Sequence, residues 1–117
     1  KKSFIASTAT MTIHPVRING LVLGVPQAFT YFQRMQERIT TFVTSNSHMS
    51  PKRFTELCMN TDELATDVGS VLDGEDAVKE GLIDGLGSLS DAIGALNTMI
   101  DENRAKQTEE PAAHPAD

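Results

Sequence analysis

The 117-residue chain has no tryptophan, one tyrosine and one cysteine, Cys58. A single cysteine excludes an intrachain disulfide and fits a reducing compartment, so the expected localisation is cytoplasmic. Phe54 and Leu57 place Cys58 on an apolar helix face, where a thiol acts as a small, inert hydrophobe. No apolar run approaches the roughly 20 residues that span a bilayer, so no transmembrane segment is expected, and no signal-peptide pattern is visible. Basic residues are outnumbered by acidic ones, 10 to 16, giving a net charge of -6. They form no stripe, which argues against a nucleic-acid partner. The three histidines, His14, His48 and His114, are far apart, and there is no CxxC or HExxH. Gly20 and Gly24 are not followed by the Lys-Ser/Thr of a phosphate loop. Neither a metal nor a cofactor is therefore expected.

What is present suits one soluble globular domain: 39% hydrophobic and 22% charged residues, with a modest core. The chain opens on Lys1-Lys2-Ser3-Phe4 without an initiator Met and runs directly into an apolar stretch, which reads as a piece cut from something longer. Residues 106–117 are rich in Glu, Pro and Ala and read as a disordered tail, leaving a domain at 1–105.

Residues 4–13 read as a strand, with Thr10, Met11, Thr12 and Ile13 alternating polar and apolar. Pro15 holds His14 extended and ends the ladder. Residues 16–25 read as a second β-like stretch, interrupted by Gly20 and Gly24. From Pro26 the period changes. Ala28, Phe29, Phe32, Met35, Ile39, Phe42 and Val43 recur at three and four residues, predicting an amphipathic helix over 26–45. Ser50-Pro51 starts a short helix through Met59, and Thr61-Asp62-Glu63 has the acidity of another helix start. Residues 67–72 read as a short strand or irregular chain. Asp73 caps a helix over 74–80, closed by Gly81 in the left-handed conformation. Leu82-Ile83 is at most a two-residue strand, and Gly85 and Gly87 form a turn. Ser88 with Asp91 opens a last helix, to about Arg104.

His14 is the one residue whose surroundings suggest chemistry. A lone histidine at a strand end is more often structural than catalytic. Strand exits, however, are where α/β folds build sites, and a pKa of about 6.5 suits a general base. The run Thr10-Met11-Thr12-Ile13-His14-Pro15 resembles the histidine motif of ClpP-class serine peptidases, a strand ending in Met-Ile-His with a proline close behind. Three further features match in order: the extended segment Gly20 to Gly24, the long helix 26–45 that the family calls the handle, and the closing pattern from Val71 to Asp84. The resemblance covers about residues 1–100 and is nearest the TepA branch, the translocation-enhancing ClpP-class proteins. Signal peptide peptidase A shares the ending over 81–93. The Ile-His-Pro element favours the ClpP side, because the signal peptide peptidase type uses a Ser-Lys pair.

The resemblance implies an α/β fold, the C-terminal portion of a ClpP/crotonase-like fold, helix-dominated with a few short strands and the handle helix. It implies a serine endopeptidase cleaving peptides or proteins by Ser-His-Asp acyl transfer, with or without an ATPase chaperone. His14 matches the general base. The family's serine precedes the histidine by about two dozen residues, a position this chain does not contain; Ser3 and Ser7 do not match it. An ungapped match anchored on Gly81-Leu82-Ile83-Asp84 puts Gly69 at the family's acid position, a departure. Asp67, two residues earlier, faces the same side if the stretch is extended, and is taken as the acid. Asp73 reads as a cap and Asp84 as structural. The chain alone is expected to be inactive, and to self-associate through the 26–45 helix. The alternatives are a non-catalytic interaction module of the same fold, a signal peptide peptidase A-like enzyme, and a crotonase-type acyl-CoA enzyme.

Overall fold

A computed structural model describes residues 1–62 and 68–109. Its elements run β1 (Phe4–Ile5), β2 (Thr10–Ile13), α1 (Val25–Ser45), α2 (Pro51–Cys58), β3 (Ser70–Asp73), α3 (Gly74–Lys79), β4 (Gly85–Leu86) and α4 (Leu89–Glu109). The fold is α/β, helix-dominated, with short strands in two pairs.

β2 and β3 are antiparallel, in the register Thr10–Asp73, Met11–Leu72, Thr12–Val71 and Ile13–Ser70. Both strands obey the period of two. Ile13, Ser70 and Leu72 point inward, while Thr10, Thr12, Val71 and Asp73 face out. β1 pairs in parallel with β4, Phe4 with Gly85 and Ile5 with Leu86. The core is small: Ile5, Ile13, Met49, Phe54, Leu57, Cys58, Leu72 and Ala77. It lies where the inner faces of β2 and β3 meet α2 and α3.

Several predicted elements differ. The single strand over 4–13 is two strands separated by a turn, in which the Ala9 N–H donates to the Ala6 carbonyl at 3.0 Å. Residues 16–25 form no strand up to the start of α1. Gly20 and Gly24 have φ of 118° and 72°, which breaks extension. The Val16 N–H donates to Gln36 Oε1 at 2.8 Å rather than to a ladder. Leu82 and Ile83 form a bend, and the expected turn glycine Gly85 instead lies in β4, whose ladder partner is at the far end of the chain.

The helix boundaries follow local chemistry. Pro26 occupies the first turn of α1, and Gly24 precedes the helix in the left-handed conformation. Ser50 caps α2 by accepting from the Arg53 N–H at 3.1 Å. Asp73 caps α3 by accepting from the Asp76 N–H at 2.8 Å. Gly81, at φ 80°, closes α3, with its N–H on the Val78 carbonyl and the Leu82 N–H on the Ala77 carbonyl, each at 3.0 Å. Ser88 and Asp91 form the reciprocal cap of α4: the Ser88 N–H donates to Asp91 Oδ2 at 2.7 Å and the Asp91 N–H to Ser88 Oγ at 3.4 Å. α4 continues to Glu109, so residues 106–109, expected in a tail, are helical.

Candidate active site

Ile13 is buried and His14 exposed, because consecutive residues of a strand face opposite ways. The ladder stops there, since Pro15 has no N–H to give it. Two contacts hold the exit. His14 Nδ1 is 2.8 Å from the Pro15 carbonyl oxygen. The Val16 N–H on Gln36 ties the next residue to the middle of α1. The imidazole is thus displayed on the surface from a stiff Ile-His-Pro unit.

Continuing the β2–β3 register by one step puts Gly69 opposite His14. Gly69 has φ 143°, which side-chain-bearing residues rarely adopt. A Cβ there would overlap the Ile13 carbonyl oxygen and lie 3.2 Å from both Cα and Cβ of His14. The position that the ungapped match gives to the acid therefore lies beside the histidine, but has no room for a side chain. Asp67 lies outside the described residues.

Gly69 is anchored from the segment just after α2. Its N–H donates to the Asn60 carbonyl at 2.7 Å. The fully buried Ser70 donates its hydroxyl to the Leu57 carbonyl at 2.7 Å, and Asn60 Nδ2 donates to Ser70 Oγ at 3.4 Å. α2 thereby fixes the start of β3, and β3 fixes the end of β2. Asn60, Ser70 and Gln36 were not singled out from the sequence. Their roles depend on pairings with residues 9 to 20 positions away, and no local pattern marks them.

The other candidate groups are engaged elsewhere. The Ser3 N–H donates to Asp84 Oδ2 at 2.9 Å and Ser3 Oγ accepts from the Asp84 N–H at 3.0 Å. The hydrogen bonds that Ser3 donates to the carboxyl, from its N–H and from Oγ at 3.3 Å, hold Asp84 below its ordinary range, with His48, 3.3 Å away, adding to the effect. Asp84 is a structural clamp between the N-terminus and β4. Cys58 is almost wholly buried, and burial pushes its thiol up, against a smaller opposing hydrogen bond involving Gln36. A raised, enclosed thiol is a poor nucleophile. No group of three His, Cys, Asp or Glu side chains among the described residues is placed to hold a metal.

Residues 1–89 match the family described as Clp protease. Over 107 residues, 92% of this chain, the sequence is 49% identical to the translocation-enhancing protein TepA of Halalkalibacterium halodurans. The chain spans 42% of that relative's length and corresponds to its C-terminal part. The strand exit bearing His14, the long helix after it and the Gly-Leu-Ile-Asp closure all fall within the matched segment, and the chain belongs to the Clp protease family.

Proposed function

We propose that this chain is the part of a ClpP-like serine endopeptidase that supplies the general base, His14. The observation that carries the reading is the display of an exposed imidazole by a rigid Ile-His-Pro strand exit, in a chain of the Clp protease family. In the intact protein a serine Oγ, contributed from upstream of residue 1, attacks the peptide carbonyl. His14 Nε2 takes its proton and returns it to the leaving amine, and water then hydrolyses the acyl-enzyme by the same steps. Asp67, two residues before the position that the ungapped match gives to the acid, supports the imidazolium. The chain by itself holds one half of a nucleophile–base pair and turns over no substrate.

The substrate is a peptide or protein, and the enzyme is a cytoplasmic homo-oligomer. α1 supports self-association: none of its residues is buried, and Phe29 and Phe42 are 68% and 70% exposed. An apolar face of this kind is normally covered by a partner.

The test is His14→Ala in the full-length protein, with a fluorogenic peptide or casein as substrate. Loss of hydrolysis with the fold retained supports the reading. Gly69 favours a second reading, a non-catalytic module that keeps the fold and its assembly, because the position matched to the acid cannot carry one. A full-length protein that assembles but neither hydrolyses peptides nor reacts with a fluorophosphonate would establish that alternative.

A further inference from the structure

We infer that the Pro15 carbonyl, rather than a carboxylate, sets the tautomer of His14; the inference rests on His14 being the general base. The Nδ1 to carbonyl oxygen distance of 2.8 Å lies in the range of N–H···O hydrogen bonds. A carbonyl oxygen has lone pairs but no proton, so this contact is a hydrogen bond only when Nδ1 carries the hydrogen. Nε2 then presents a bare lone pair, the form that accepts a proton from a serine hydroxyl. In a Ser-His-Asp triad the aspartate enforces that same choice by accepting from Nδ1.

The geometry gives the carbonyl this role for three reasons. Donor and acceptor belong to adjacent residues of a stiff unit, because the Pro15 ring fixes its own φ and restricts His14 to extended conformations. Ile13 is buried at 6% exposure and closes the β2–β3 ladder, so the unit is anchored on the core side. Across the ladder end, Gly69 fills the place nearest His14 with backbone. Its N–H is already given to Asn60, and a Cβ would overlap the Ile13 carbonyl oxygen. That position offers His14 no carboxylate, whereas Pro15 offers an acceptor that survives protonation of Nε2, since Nδ1 keeps its hydrogen in the imidazolium. The Pro15 carbonyl is a positioning group. It leaves an acid elsewhere only the task of supporting charge.

The test uses the full-length protein with 15N-labelled histidine. Long-range proton–nitrogen correlation spectra distinguish the two neutral tautomers, and the His14 signals are assigned by their loss in His14→Gln. The neutral ring is expected to carry its hydrogen on Nδ1. A majority of the Nε2–H form, or an even mixture, overturns the inference. In parallel, Asp67→Asn is expected to lower kcat by less than about tenfold and to move the histidine limb of the pH–rate profile to lower pH, because a charge that supports the imidazolium is lost. A fall on the order of 10^4-fold, as when a triad aspartate is lost and the tautomer goes wrong, also overturns it. Hydrolysis that survives His14→Ala defeats the general-base reading, while the spectrum still judges the tautomer independently of activity.

Discussion

Gly69 faces His14 across the end of the β2–β3 ladder, with no space between them for a side chain. The contact makes the histidine's placement depend on a glycine that carries no chemistry of its own. Gly69→Ala forces a Cβ into the Ile13 carbonyl and requires a side-chain-bearing residue at φ 143°. Strain of that kind costs about 1–3 kcal/mol. Urea unfolding followed by circular dichroism should show that loss for Gly69→Ala, and Gly69→Asp should be no milder. A variant as stable as the parent would mean that the backbone there relaxes freely.

Asp73 links β3 to α3, since it ends the strand and caps the helix. Its carboxylate accepts from the Asp76 N–H, satisfying one of the first-turn donors that the helix leaves open. Asp73→Ala should destabilise the fold by about 1 kcal/mol, whereas Asp73→Asn or Asp73→Ser should recover most of it. Equal losses for all three would assign Asp73 some role other than capping.

Arg53 joins α2 to the end of α3 through two hydrogen bonds to Glu80, Nε to Oε2 at 2.8 Å and Nη2 to Oε1 at 2.7 Å. Arg53 holds the Glu80 carboxyl below its ordinary range, as Ser3 does for Asp84. Both groups have folded pKa values below their unfolded ones, so the unfolded chain binds protons first. Their stabilisation is fully present above the unfolded carboxylate values of about 3.9 to 4.3 and is lost as pH falls through the lower folded values. The denaturation midpoint should drop on acidification through that window. Glu80→Gln should flatten the drop and cost less than about 1 kcal/mol at neutral pH, because the pair is at the surface. A midpoint that rises on acidification would contradict the sign.

α1 exposes Ile39 and Phe42 one turn apart on one side, and Phe29 nearer its start. If that side joins copies of the protein, sedimentation should show a dimer or larger species whose mass falls on dilution. Phe29→Glu with Phe42→Glu should shift it to monomer without loss of helicity. A wild-type protein that stays monomeric at high concentration would remove α1 as the assembly surface.

The parts legible in the sequence are those set by neighbours in the chain. The α1 stripe, the Ser50 and Asp73 caps, the Ser88–Asp91 pair and the Gly81 terminator all act within about four residues. The strands were less legible because a ladder needs a distant partner. Gly85 reads locally as a turn residue, yet it pairs with Phe4. Residues 16–25 look β-like, but Gly20 and Gly24 turn the backbone away and Gln36 takes the Val16 N–H. His14 itself was marked by its motif. The pressure of Gly69 on it was not, because the register that brings the two together is a property of the folded pair β2–β3.

We propose His14 as the base of a peptidase whose serine lies elsewhere in the protein. The direct measurement is kcat/KM for a fluorogenic peptide, compared between the full-length protein and its His14→Ala variant, with circular dichroism confirming the fold. A fall on the order of 10^4-fold or more is expected for His14→Ala. Hydrolysis at the parent rate in the folded variant would contradict it.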